Sequence, residues 1–291
     1  MKTIKLISIG LVSFLLLTIY SCSKEGNYVL QDPPPLDFHV NVNGLAISFI
    51  SNAKEATEVS WDFGDNRGTL TGDSVVHQYS TIGNYLISMS AKVHGESFTY
   101  HKVLRVDKAS LIKLQDDSFD DWNSVTYPDF ILGGTADVLG AKVDYDANNV
   151  YIYIKFNAIA GAEMENHIFG IYMDTDNSPT TGFSMKGMGV DYAIEGNLYT
   201  GDIWPSEVDL VNGDPGWPFM EYDPAIPILP GTINETDGVI QMEFGIPRQT
   251  YHINGDTFQF YCSVMNSDWS DIGNLVTPDF SDVIVVKMNK Q

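Results

Sequence analysis

Four stretches between residues 37 and 107, HVNVNGLAISFIS, EVSWDFGD, YLISMSAKV and YHKVLRV, partly alternate apolar and polar positions and are rich in Val, Ile, Phe and Tyr. Gly, Asn and Asp separate them. A period of two puts one row of side chains in a core and the other in water, so these stretches predict antiparallel strands packed as a sandwich. From residue 110 to 291 the segments AKVDYDANNVYIYIKFNA, HIFGIYMDTDNSPTTGF, GVDYAIEGN, GVIQMEFGIPR, DTFQFYCSVMNSD and DVIVVKM are again strand-like, and none shows sustained helical periodicity. An apolar run such as 150–156, broken only by Lys155, requires a strand covered on both faces, or one carrying aromatic rings outward. Two facing sheets meet that demand, which predicts a larger jelly roll after the first sandwich and an all-β chain.

The start of the chain reads differently. Lys2 and Lys5 precede an apolar run over residues 6–20, too short to span a bilayer comfortably and suited to an export signal. Ile19, Tyr20, Ser21 and Cys22 resemble a bacterial lipobox, with Tyr20 where a small residue is usual. Residues 1–22 are therefore expected to be a lipoprotein signal ending in a lipidated Cys22, which alone would hold the membrane. Residues 23–36 contain three consecutive prolines, 33–35, and read as a stiff tether. A second break, VDKASLIKL at 106–114, separates a domain at 37–107 from one at 110–291. Nothing in that linker ties the two together, so they are expected to unfold separately. With Cys22 lipidated only Cys262 remains, which excludes an intrachain disulfide, and its place in FQFYCSVM makes it a core residue. Sixteen Lys and Arg face 38 Asp and Glu, a net charge of −22. Such a surface repels nucleic acid and anionic headgroups and has oxygens to spare for hard cations.

In the first domain WDFGDN at 61–66, HQY at 77–79 and GNYLISMSA at 83–91 resemble, in order, the signature of the PKD domain, with Asn66 where glycine is usual. Both residues tolerate a left-handed turn. The resemblance implies an Ig-like β-sandwich acting as a spacer, without catalysis. Asp62, Asp65 and His77 could form a metal site; the other reading has both aspartates bonding turn amides while Trp61 and Phe63 enter the core. In the second domain DDSFDDW, DYDANNVYIYI, IYMDTDNSPTTGF and GVDYAIEG resemble family 9 carbohydrate-binding modules and the broader DOMON-like sandwiches, with Ser118 where glycine is usual. That resemblance implies a jelly roll stabilised by calcium.

The candidate cation loop is YMDTDNSPTTGF, where a strand stops at acids. An EF-hand counted from Asp174 needs glycine and glutamate where Pro179 and Met185 stand, so the loop is not one. Asp174, Asp176, Asn177 and backbone carbonyls can still gather around a cation, with Asp191 as a further carboxylate. An irregular oxygen set suits calcium better than magnesium or zinc. A hydrogen-bonded polar turn is the alternative. No spacing selects a catalytic pair among 38 acids, and the chain has no G-x-S-x-G, H-E-x-x-H or phosphate-cradling loop, so no enzyme activity is expected. His167 and Met173 read as packing residues rather than haem ligands.

Residues 198–237 are rich in Pro and Gly, too long for a passive hairpin, and carry Trp204, Trp217, Phe219 and Tyr222. Flat rings stack on the C–H faces of pyranoses while nearby carboxylates accept hydroxyls, which makes Trp204, Trp217, Tyr222 and Trp269 candidate sugar ligands. Burial in the core is the other reading for Trp204 and Trp217, and Trp61 and Trp122 are assigned there. The expectation is a non-catalytic cell-surface lipoprotein that binds an oligo- or polysaccharide through its second domain, with the first as stalk. This design resembles the surface glycan-binding lipoproteins that accompany outer-membrane glycan importers in Bacteroidetes, which implies an outer-membrane location and a transporter as partner. A structural or adhesive surface protein that binds another protein is the alternative.

Overall fold

The computed structural model describes residues 36–158 and 166–288; Cys22 and the triple proline lie outside them. Strands β1 (Phe38–Asn43), β2 (Ala46–Ser51), β3 (Ala56–Asp62), β4 (Thr69–Thr71), β5 (Ser74–Gln78), β6 (Gly83–Val93) and β7 (Glu96–Val106) form two sheets, β1-β2-β5 and β4-β3-β6-β7. Alternation along β3 sends Trp61 into the core between them, where its Nε1 donates to the Gly72 carbonyl at 2.8 Å. Phe63 follows it inward. Asp62 accepts the Gly64 amide at 2.9 Å, and Asp65 accepts the Arg67 amide at 3.2 Å. Asn66 takes the left-handed conformation, φ 61°. His77 lies 2.7 Å from the second oxygen of Asp65 and stacks on Phe63. These polar side chains build the turn.

The second unit comprises β8 (Ile131–Gly134), β9 (Val138–Tyr145), β10 (Asn149–Asn157), β11 (His167–Asp174), β12 (Phe183–Met185), β13 (Met188–Val190) and β14 (Tyr192–Asn197). It continues with β15 (Asp202–Val208), β16 (Phe219–Glu221), β17 (Leu229–Thr236), β18 (Val239–Pro247), β19 (Thr257–Asn266), β20 (Asp271–Val276) and β21 (Ile284–Lys287). One hydrogen-bonded path runs β16-β15-β14-β11-β19-β20-β8-β9-β10-β18-β17, with β21 also on β19 and β12-β13 as a separate hairpin. The path curls so that its two halves face each other as a sandwich. The chain is thus nearly all β, an Ig-like sandwich followed by a larger curled one.

Inward rows from both halves, including Ile152, Ile154 and Phe156 on one side and Phe169, Ile171, Met173, Phe260 and Cys262 on the other, make the main core. Burial pushes the Cys262 thiol up to about 12, which leaves it inert. The run 150–156 is apolar but for Lys155 because its outward Tyr151 and Tyr153 are covered as well. Phe119 and Trp122 pack on Tyr153, and the Trp122 Nε1 donates to buried Glu243 at 2.7 Å.

Two expectations need correction. Residues 198–237 are not a long loop, since three strands, β15, β16 and β17, cross them. Pro205 obscures the first, yet within a strand the N–H and C=O of one residue share an edge. Its carbonyl accepts the Tyr222 amide, so its missing donor faces that side and the β14 ladder stays whole. Nor is the linker free of ties. Asp107, buried, accepts Arg105 Nε at 2.9 Å and Arg248 Nη1 at 2.8 Å, while Arg105 also reaches Asp256 and the Met288 carbonyl. Lys108 and Ser110 both hold Asp144. Partners up to 183 positions apart make these contacts invisible to a local reading.

Candidate ligand face and cation loop

The strand register assembles the candidate site. Tyr172 of β11 pairs with Ala193 of β14 and Tyr261 of β19; two residues earlier, Gly170 pairs with Glu195 and Ser263. Glu195 in turn stands opposite Trp204 of β15. All these side chains share the face opposite the core row of Phe169 and Ile171. Gly170 keeps this face hollow, because a Cβ there would come within 3.0 Å of both Met265 and Tyr172.

Aromatic rings wall the hollow. Trp217 and Phe219 stand 6.0 and 6.3 Å from Tyr172, and Tyr172 stacks on Tyr261 at 6.0 Å. At another edge Trp204 lies 6.2 Å from Trp269, whose backbone is held left-handed in the β19–β20 turn. Trp204, Trp217 and Trp269 remain 47, 43 and 49 % exposed, so half of each indole is offered to solvent. A cleft of about 360 Å³ runs between Trp204 and Trp217, with Glu195, Ser206 and Glu221 also lining it. Tyr222 borders that cleft, but its ring packs on Tyr192 and Tyr251 and its hydroxyl donates to the Thr250 carbonyl at 2.9 Å. It is a fixed wall.

Electrostatics orient the floor. The Tyr172 hydroxyl donates to Glu195 at 2.6 Å. Burial first, and then the Glu195 carboxylate, hold that phenol far above its ordinary pKa, so it stays a donor and pins the carboxylate as an acceptor. Lys186, on the β12–β13 hairpin, stands 5.0 Å over the Tyr261 ring and pairs with Asp282 at 2.8 Å.

The cation loop begins two residues beyond Tyr172. Asp174, Asp176 and Asp191 each bring a carboxylate oxygen within 4.8 Å of the others. Asp174 is buried; its oxygens accept the amides of Ser178 at 3.0 Å and Gly189 at 3.3 Å. Asp191 accepts the Thr175 amide at 2.8 Å, and Asp176 accepts the Thr181 hydroxyl at 2.9 Å. Burial, and then the neighbouring carboxylates, raise the pKa of Asp174 and of Asp191. Among the described residues no Lys, Arg or His pairs with any of the three. A Cβ at Gly189 would strike the carbonyls of Thr181 and Ser178 at 1.9 and 2.3 Å, so the hairpin is seated directly on the loop. This donor set, carboxylates converging without a counter-charge, fits a hard divalent cation. Asn177 is turned elsewhere: its side-chain oxygen accepts Gln259 Nε2 at 2.5 Å.

The loop and the aromatic face are one piece of structure. The chain leaving the acidic cluster reaches Phe183, whose ring lies 6.1 Å from Trp217 and 5.7 Å from Phe219. Sequence reasoning named the tryptophans but missed Tyr172, Phe183, Glu195 and Tyr261. The alternation of Tyr172 with Ile171 and Met173, and of Tyr261 with Phe260 and Cys262, carries the signal, hidden because both phases of these strands are buried or aromatic.

Three solved structures resemble parts of the chain. The PKD1 domain of the metalloprotease PrtV from Vibrio cholerae is 24 % identical, over 25 % of this chain and 95 % of that one, with TM-score 0.24. The PKD1 domain of Vibrio anguillarum Epp is 22 % identical over 25 % and 93 %, with TM-score 0.24. A carbohydrate-binding module of the β-sandwich superfamily, described for promiscuous specificity, is 12 % identical over 87 % and 97 %, with TM-score 0.28. No curated protein sequence matches the chain significantly. Residues 41–106 match the family model of the PKD domain.

Proposed function

We propose that the chain is a non-catalytic surface protein whose second sandwich binds an oligo- or polysaccharide on its aromatic face. The observation that carries this reading is the half-exposed trio Trp204, Trp217 and Trp269 around a floor whose one carboxylate, Glu195, is pinned as an acceptor. Indole faces supply the apolar contact for C–H surfaces of a sugar ring, and Glu195, Ser206 and Glu221 supply acceptors for its hydroxyls. Covering one indole contributes on the order of 1.5–3 kcal/mol. Trp204→Ala and Trp217→Ala are therefore each expected to weaken binding of glycan-array hits by about tenfold to hundredfold, with the melting temperature little changed. An array silent for the wild type would sink the reading.

Calcium at Asp174, Asp176 and Asp191 belongs to the same proposal, as a structural ion that fixes the hairpin carrying Phe183 and Lys186. Lipidation of Cys22, an outer-membrane surface location and a transporter partner complete it, motivated by the lipobox-like residues 19–22. Among the described residues no helix is long and apolar enough to cross a membrane. Cys22→Ala is expected to move the protein from the membrane fraction to the soluble one; retention of that variant after high-salt washing would refute the anchor. One observation favours the adhesive alternative: the β15–β16 loop exposes Leu210 and 89 % of Val211 at a separate hollow that Asp191 and Glu207 also line, apolar groups that suit a protein partner better than a sugar.

A further inference from the structure

A second concavity, of about 860 Å³, lies between the two sandwiches. Asn84, Val103 and Arg105 of the first unit form one wall; the β9–β10 turn, the β18–β19 connection and Ile226 form the other. Its chemistry differs from that of the aromatic cleft. None of its lining residues is Asp or Glu, in a chain holding 38 of them. Its two guanidinium groups are already satisfied, Arg105 by Asp107, Asp256 and a carbonyl, and Arg248 by Asp107 and the carbonyls of Asp146, Ile253 and Gly255. They serve as walls rather than anion hooks.

What remains available is neutral. Asn84, Asn148, Gln249 and Asn254 are exposed, and their side-chain amides have no protein partner among the described residues. Each amide both donates and accepts, which is what a hydroxyl-bearing ligand requires. Val103 and Ile226, exposed and apolar, supply surface for C–H groups. Tyr222 lines both this groove and the aromatic cleft, so one begins where the other ends.

We propose that this interdomain groove is a second saccharide subsite, taking the distal units of a neutral polysaccharide whose nearer units lie on the aromatic face. The inference rests on the glycan-binding reading and goes beyond it, because it makes the PKD-like unit part of the binding surface through Asn84 rather than only a stalk. The buried Arg105–Asp107–Arg248 contacts set the spacing of the two walls.

The test is affinity electrophoresis of the full mature chain through gels containing mixed-linkage β-glucan, xyloglucan or galactomannan. In the polysaccharide that retards the wild type, the triple variant Asn84→Ala, Gln249→Ala, Asn254→Ala is expected to bind about tenfold more weakly, as the loss of several hydrogen bonds dictates. Its affinity for a disaccharide of the same polymer should be unchanged, since that ligand fits the aromatic face alone. All three positions are exposed, so the variant should melt with the wild type. Wild-type retardation of the triple variant, with loss of retardation in Trp204→Ala, would overturn the groove and leave the aromatic face standing. Failure of all three polymers to retard the wild type would overturn both.

Discussion

Asp107→Ala is expected to cost about 3–5 kcal/mol of stability and to divide one unfolding transition into two. The Asp107 side chain has no exposed surface, and Arg248 beside it is only 3 % exposed. Removing the carboxylate leaves two guanidinium groups facing one another with nothing between, and a buried charge without its partner is the expensive case. Both arginines keep carbonyl partners, so each sandwich should still fold. What is lost is the joint between them. Asp107→Asn keeps an acceptor and should fall between wild type and alanine. Chemical denaturation followed by tryptophan fluorescence reports both units, because Trp61 sits in the first core and Trp122 in the second. A single transition in the alanine variant, displaced by less than 1 kcal/mol, would show that Asp107 does not join the two.

The features legible in the sequence were those set by near neighbours. Asp62, Asp65 and Asn66 act within five residues of Trp61, and a turn whose hydrogen bonds close over two positions needs no tertiary knowledge. Trp122 was legible as a core residue from the motif around it, although it sits in a short 3-10 turn, Asp120–Ser124, and not on a strand. The rest depended on distance. Strands β15 and β16 were hidden because Pro205, Pro218 and four glycines interrupt the alternation over 198–237, and β16 has only three residues. Tyr172 and Tyr261 were missed because period two cannot say which row faces out when both rows are apolar. The joint at Asp107 needed Arg248, 141 positions away.

Chelation of calcium is expected to lower the melting temperature of the intact protein by roughly 5–10 °C, since an ion present at a hundredfold excess over its Kd contributes about 2.7 kcal/mol to the folded state. The pH dependence should then separate an ion site from a polar turn. Without an ion, the folded-state pKa values of Asp174 and Asp191 are raised by burial and by the neighbouring carboxylates. The native state therefore binds more protons than the unfolded chain between the ordinary carboxylate range and the raised values. Stability from these two groups is present at the acid side of that window and is lost as pH rises through the folded pKa. The chelated protein should thus gain stability as pH falls from neutral, whereas the calcium-loaded protein should lose it as protons displace the ion. Asp174→Asn removes one charge and one ligand, and should resemble the chelated protein at neutral pH with a flatter pH response. Because Phe183 follows the loop onto Trp217 and Phe219, chelation should also weaken glycan binding, which no local reading of the loop suggests. Metal content measured on the same samples shows whether stripping succeeded. Parallel pH profiles for stripped and loaded protein would identify the loop as a hydrogen-bonded turn, with the amides of Ser178 and Gly189 as partners for Asp174.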